Sequence, residues 1–348
     1  MKSFFIKKNI FAFCFIGFLL LFSTLNVVHN KENILDMKLE LQEIQSVDEL
    51  KDWISSAETN ANEEILGQMN FIEAYGYLQK LIGKREFNGF SYIKGDDGML
   101  YYGSVLKGPT NDLQDYAQNV SRLNKYVESQ NAKLIVVIPP SKILSGKSNI
   151  NLQWPINDPN YRTDEFLNLL QRYQVSSVDL RTTMQKSDLD IEQMFFKTDH
   201  HWTPTAAFYA AGALVNYVRD HFDDDWDSDR FYCDIDNYNS YTYQNCMIGS
   251  QGKNAGVIYS GIEDYTLLWP KFETSFTLTD YEHSTVRKGD FSESLLNKHF
   301  LEIENWYKES INAVYLNEIV TKDNIVNHLN PDGPKIVALR DSYFSPMA

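Results

Sequence analysis

The stretch Leu134-Ile135-Val136-Val137-Ile138 constrains the fold of this chain more than any other: five apolar residues in a row, closed at once by Pro139-Pro140. Alternating polarity would mark a strand with one wet face. A continuous apolar run marks a parallel strand covered on both faces, and the proline pair ends it where a loop leaves the sheet. Ahead of it Leu113, Tyr116, Ala117, Val120, Leu123 and Val127 recur at intervals of three and four, an amphipathic helix ending in Ser129-Gln130-Asn131. The pattern repeats with a helix near Glu165 to Tyr173, a strand from Val175 to Leu180 and a helix from Pro204 to about Arg219. Thr203 can cap that last helix, and Pro204 suits its first position, where the missing N–H costs nothing. Alternating helix and strand predict an α/β fold with a doubly wound parallel sheet.

Residues 1–30 have a basic start (Lys2, Lys7, Lys8) and an apolar stretch from Ile10 to Val28, long enough to span a bilayer as a helix. No small-residue cleavage site follows, so a signal anchor is expected, with the basic end in the cytoplasm and the remainder extracytoplasmic. Residues 31–85 are acidic and helix-prone, with Leu35, Leu39, Leu41 and Ile44 and then Phe71, Tyr75, Leu78 and Ile82 at roughly helical spacing. We read them as a membrane-proximal helical piece. The two arms around Asp97-Gly98, from Tyr92 to Tyr102, carry a hairpin signal, so the main domain is placed at 86–348. Between about 220 and 330 the pattern loosens into a Tyr-, Asn- and Asp-rich stretch, including the strand-like Tyr265 to Trp269, read as an insertion over the active face.

The formal net charge of −15 lacks the basic stripe that a phosphate backbone requires, which excludes nucleic acid as the partner. Cys233 and Cys246 can close a short loop or stay reduced, and two cysteines do not make a disulfide scaffold.

Chemistry concentrates in Thr198-Asp199-His200-His201-Trp202-Thr203-Pro204, where an acid and an imidazole stand two residues apart just before a helix. A serine hydroxyl needs a base to take its proton, and the imidazole needs a partner that fixes its tautomer and stabilises the cation. Ser342 completes such a set. It follows Lys335-Ile336-Val337-Ala338-Leu339-Arg340, read as a strand that delivers the hydroxyl to its carboxyl end, where open α/β sheets place ligands. The order Asp, His, Ser is permitted, because unrelated folds carry the triad in different orders.

Each of these features has a plainer reading. Asp-Ser-Tyr after a strand also serves as a helix cap. Asp-His-His can be structural or metal-binding, but zinc would want a third protein ligand, and His221, His283, His299 and His328 lack a matching spacing, so neither metal nor cofactor is expected. Trp202 is expected to pack against the loop rather than stack on sugar. The run Asp223-Asp224-Asp225-Trp226-Asp227-Ser228-Asp229 has calcium-type oxygens without an EF-hand's glycine and glutamate, and reads better as a solvated loop. Ser141-Lys142 can place a cation near the active face, although a turn and a surface lysine explain it equally well.

Taken together, these segments resemble the DHHW protein family, named for the motif standing here as Asp199-His200-His201-Trp202. They are also similar to the periplasmic alginate O-acetylation proteins, with a D-x-H-W motif and a later serine in a permuted SGNH-hydrolase-like fold. The resemblance includes Val137 to Lys142, Val178-Asp179-Leu180-Arg181, Phe196-Lys197-Thr198, Gly249-Ser250-Gln251-Gly252 and Leu339-Arg340-Asp341-Ser342-Tyr343. It implies Asp199 as acid, His201 as base, Ser342 as nucleophile and His200 as the variable middle position. It also implies an acetyl group carried through a serine ester onto a cell-surface or exported polysaccharide, supplied by a membrane-bound O-acyltransferase. An acetylesterase with the same triad, or a non-catalytic polysaccharide-binding or assembly protein, would keep the same fold. For the oxyanion, the resemblance leaves the backbone N–H of Tyr343 and one from the turn of Gly249, Ser250 and Gly252. In such relatives a further helix and strand follow the serine. Here six residues follow it, so the reading is expected to be truncated or the sheet to lack an edge.

Overall fold

The computed structural model describes residues 2–106, 112–150, 156–222, 227–316 and 320–347. It divides into two compact units, Met1–Ala74 and Tyr75–Ala348. The first holds helices α1 (Lys2–His29), α2 (Lys31–Glu43) and α3 (Val47–Glu63), and α4 (Gln68–Leu81) runs across the division. Within α1, the 21 residues Asn9–His29 are long and apolar enough to cross a membrane, which suits an anchor or a signal. Helix α3 starts where Ser46 accepts from Glu49 N–H at 3.2 Å while Glu49 accepts from Gln45 N–H at 2.8 Å, a reciprocal cap.

The second unit opens with strands β1 (Glu86–Phe87), β2 (Tyr92–Lys94) and β3 (Leu100–Tyr102), an antiparallel sheet in that order. The expected hairpin is present, pairing Tyr92 with Tyr102, Ile93 with Tyr101 and Lys94 with Leu100. Its turn needs Gly98, whose φ of +80° lies where side chains are strained.

Helix α5 (Leu113–Ser129), capped by Asp112, leads into β4 (Ile135–Ile138); α6 (Pro159–Arg172) then leads into β5 (Ser176–Asp179). The two strands pair in parallel, Ile135 opposite Ser176 through Ile138 opposite Asp179. The apolar run is covered on both faces, as its composition requires. Leu134 and Val136 pack with Ala117, Leu169 and Leu170 of α5 and α6. Ile135 and Val137 pack into the main core with Trp202, Ala206, Ala207 and Ala210. Short helices α7 (Leu180–Lys186) and α8 (Ile191–Met194) precede α9 (Pro204–Phe222), where Thr203 Oγ1 caps Ala206 N–H at 3.2 Å. The three alanines let α9 lie close against the sheet.

The stretch expected to be an insertion contains β6 (Tyr238–Met247), short helices α10 (Ser250–Ala255) and α11 (Val257–Ser260), and β7 (Glu263–Pro270). It continues with β8 (Phe276–Asp280), β9 (Thr285–Gly289), α12 (Phe291–Ser294) and β10 (Asp323–Asn327). β6 pairs with β7, and β10-β8-β9 form a second sheet, all antiparallel. Of the acidic run, Asp223 to Trp226 lie outside the described residues, while Asp227 accepts from the N–H groups of Tyr232 and Cys233. Cys233 and Cys246 are free thiols.

One expected element is corrected. Lys335 to Arg340 joins no ladder, so among the described residues the doubly wound sheet is reduced to the single parallel pair β4–β5. Val337 is 90% and Leu339 87% exposed. A strand exists only through a neighbour that accepts its ladder bonds, and no described strand runs beside this segment.

Candidate active site

The loop from Phe195 to Thr203 is pinched shut by a bridge between Phe195 and Trp202, with Thr203 N–H donating to Met194 O at 2.8 Å. From outside, the Glu263 carboxylate of β7 accepts from Lys197 N–H, from Thr198 N–H at 2.7 Å and from Thr198 Oγ1 at 2.5 Å. Leu100 N–H of β3 donates to Lys197 O at 2.8 Å. Asp199 and His201 are therefore carried by a short loop bonded to three separate elements.

Asp199, 3% exposed, accepts at Oδ1 from His201 N–H at 2.9 Å and from His201 Nδ1 at 2.5 Å, and at Oδ2 from Ser250 N–H at 2.6 Å. Because a carboxylate only accepts, Nδ1 of His201 carries the proton and Nε2 is free to accept. Nε2 faces Ser342 Oγ at 2.6 Å. The structure thus brings together the three residues that the sequence singled out, from positions 141 apart. Burial alone would raise the Asp199 pKa, but the His201 hydrogen bond and the imidazole charges of His201 and His200 outweigh it and hold the carboxyl well below the usual range.

His200 lies beside this pair, ring centroids 3.9 Å apart, with Nδ1 3.3 Å from Ser250 Oγ. Burial pushes its pKa down against the pull of Asp199. Asp199, His200 and His201 are also a set whose donor atoms lie within 4.8 Å of one another, close enough to share an ion, but both His201 nitrogens are engaged by Asp199 and Ser342.

Ser342 opens a short 3-10 turn, Ser342–Met347. Trp202 fixes this turn, since its Nε1–H donates to Tyr343 O at 3.0 Å, and Tyr343 donates its hydroxyl to His200 O. Arg340 holds the approach to the turn through Asp323 Oδ2 at 2.8 Å and Ser345 Oγ at 3.1 Å. Trp202 is 2% exposed, so the packing reading is the one observed. Trp202→Phe keeps most of the apolar volume and leaves the Tyr343 carbonyl without its donor. We expect a loss of about 1–2 kcal/mol, read as a shift of the denaturant unfolding midpoint at constant slope.

The oxyanion donors expected from the sequence have protein partners in this structure. Tyr343 N–H donates to Asp341 Oδ1 at 3.0 Å. Gly249 N–H donates to Thr198 Oγ1 at 2.8 Å, Gly252 N–H to Thr198 O at 2.8 Å, and Ser250 N–H to Asp199. Buried oxygens of the 195–203 loop need these donors, so the Gly249–Gly252 segment holds Thr198 and Asp199 in place. Gly249 is required for that approach: a Cβ there would stand 2.6 Å from both Cα and Oδ2 of Asp199.

The cleft beside Ser342 and His201 has a volume of ≈ 260 Å³. Its far wall includes Tyr265 of β7 and Ser310 and Asn312, around a 3-10 turn at Ile311–Val314. Sequence reasoning missed Ser310, Asn312 and Glu263, which no local spacing connects to the loop. Of the two readings of Lys142, a cation near the active face or a surface lysine, the structure has the first. That side chain is 5% exposed, not a surface lysine, and its Nζ donates to Leu100 O at 2.6 Å, Asp199 O at 2.8 Å and Lys197 O at 3.2 Å. The signal was its place two residues beyond the proline pair, where the end of a buried strand points at the active face.

The chain is similar to several known proteins. Residues 93–232 match the family described as SGNH hydrolase-like domain, acetyltransferase AlgX. A stretch of 131 residues, 37% of this chain, is 24% identical to the probable alginate O-acetylase AlgJ of Pseudomonas fluorescens, and the match spans 33% of that relative's length. A crystal structure of a DHHW family protein from Eubacterium siraeum superposes with a TM-score of 0.50 at 15% identity, covering 74% of this chain and 76% of the other. The O-acetyltransferase domain of Pseudomonas putida AlgJ gives 0.41 at 17% identity, covering 52% and 66%. The chain therefore resembles the SGNH hydrolase-like acetyltransferases and the DHHW proteins, and its fold is α/β of that SGNH-like kind.

Proposed function

We propose that this chain is an extracytoplasmic O-acetyltransferase that carries an acetyl group through a Ser342 ester onto a polysaccharide hydroxyl, held at the membrane by its N-terminal helix. The observation that carries the reading is the linear array Asp199, His201, Ser342, with contacts of 2.5 and 2.6 Å, opening on a cleft. His201 Nε2 takes the Ser342 proton as Oγ bonds to the acetyl carbonyl carbon, and Asp199 stabilises the imidazolium. Collapse breaks the bond to the leaving oxygen, which receives that proton from His201. In the second half a sugar hydroxyl attacks the serine ester, gives its proton to His201 and leaves acetylated, and Ser342 regains a proton. Water in place of sugar would make the chain an esterase. The alginate O-acetylase resemblance favours sugar, with a membrane-bound O-acyltransferase as the proposed supplier.

The test is brief exposure of the 348-residue chain, in detergent, to 4-nitrophenyl acetate, with intact mass read out and a soluble oligosaccharide added in a second sample. One acetyl group on the wild type, absent from Ser342→Ala and passed to the oligosaccharide faster than acetate is released, is the expected result. A folded wild type with neither adduct nor ester turnover would sink the reading and leave a polysaccharide-binding role.

A further inference from the structure

We propose that Lys142 is a positioning residue of this site: its buried ammonium gathers the carbonyls of Leu100, Lys197 and Asp199, fixes the loop that aims Asp199 at His201, and must be charged for full turnover. This rests on the acyl-transfer reading above.

The geometry is that of an ammonium and not of an amine. Three carbonyl oxygens converge on Nζ from two segments, β3 and the catalytic loop. An ammonium has three N–H groups for three oxygens, whereas the neutral amine has two and a lone pair that would face the third oxygen. Gln251 of α10 shares Leu100 O with the lysine, its amide donating there at 2.8 Å and accepting from Tyr102 N–H at 3.3 Å, with the same amide end 3.4 Å from Nζ. The Tyr101 ring lies 5.4 Å from Nζ on one side. The charged groups that face the lysine are Asp97 beside the hairpin, Glu263 of β7 and Asp199, with His200 feeling its charge in return. None of these carboxylates bonds Nζ: Glu263 serves Thr198, Asp97 accepts from Tyr101 OH at 2.6 Å, and Asp199 serves His201. The cation is therefore held by dipoles alone, on the main chain that carries Asp199.

Burial brings the Lys142 pKa down to about 7, against the opposing pull of Glu263, Asp199 and Asp97. Because the folded value lies below the unfolded one, the ammonium begins to release its proton at about 7 and above, within reach of an activity profile. Release withdraws one bond from the loop and lets Asp199 turn from His201, which lowers kcat while leaving substrate binding in the cleft alone.

The experiment follows 4-nitrophenyl acetate turnover by the full chain from pH 6 to 10, for wild type, Lys142→Met, Lys142→Arg and His201→Ala, with a thermal melt of each. For wild type, kcat is expected to fall by up to about tenfold per pH unit on the alkaline side. Lys142→Met is expected to lie about tenfold or more below wild type in kcat at pH 7, with KM little changed and no alkaline fall. Lys142→Arg, charged throughout, is expected to lose the alkaline fall as well. A wild type with no alkaline fall overturns the inference, and so does a folded Lys142→Met that keeps wild-type kcat or the fall itself. If Lys142→Met does not fold, the wild-type and Lys142→Arg profiles decide in the same way. A wild type no faster than His201→Ala at any pH overturns the acyl-transfer reading, and this inference with it.

Discussion

Ser342→Ala and His201→Ala are each expected to lower acyl transfer by about 10⁴-fold or more, and the double variant is expected to be no slower than either single one. The reason lies in the 2.6 Å contact between Ser342 Oγ and His201 Nε2. A serine hydroxyl at neutral pH is almost wholly protonated, so attack requires proton removal in the same step, and the imidazole has no other proton to take. Each residue is useless without its partner, so the losses do not add. What remains in both variants is the cleft walled by Tyr265, Ser310 and Asn312, which still gathers ester and water. Initial rates of ester turnover on the three variants check this. Additive losses would mean that the two side chains act in separate steps. Rates near wild type in either single variant would favour a protein that binds polysaccharide without transforming it.

The reach of the sequence can be argued element by element. The apolar run at 134–138, the hairpin around Asp97-Gly98 and the Thr203-Pro204 helix start are local signals, and each element stands where its signal placed it. The Asp-His-Ser set was singled out by residue type, with Asp199 and His201 just ahead of a helix; the fold brings the three side chains together although the strand expected before Ser342 is absent. Lys335 to Arg340 failed as a strand because an apolar run states a need for cover, and cannot say whether a neighbouring strand is there to provide it. The partners of the Gly249 to Gly252 donors, Thr198 and Asp199, were not legible because they lie about fifty residues back in the chain. Glu263 escaped notice in the same way, and Lys142 was left open between a cation near the active face and a surface lysine. Both serve the backbone of residues 197–199, and nothing in one-dimensional spacing announces a side chain whose partners are main-chain atoms.

Asp199→Asn is expected to cost the site in two currencies, about 10⁴-fold in turnover and about 2–3 kcal/mol in stability. The carboxylate is surrounded by donors alone: His201 N–H and Nδ1 at one oxygen, Ser250 N–H at the other. An amide must turn its NH₂ toward one of them. If it faces Ser250, a buried donor pair is left without an acceptor. If it faces His201, the backbone N–H of His201 loses its acceptor, Nδ1 must become the acceptor, the proton moves to Nε2, and the base loses the lone pair aimed at Ser342. Either choice leaves one buried backbone donor unpaired, whereas only the second moves the proton of the base, so the size of the turnover loss reports which way the amide turns. The same variant carries a pH signature. With the folded Asp199 carboxyl held below the usual range, its stabilisation is complete above the unfolded value near ~3.9 and is lost as pH falls through the lower folded value. Asp199→Asn has no such proton to take up, so its denaturation curve should be flatter than that of wild type in the acid limb below pH ~4. Equal steepness there would mean that Asp199 is not the ionised partner of His201.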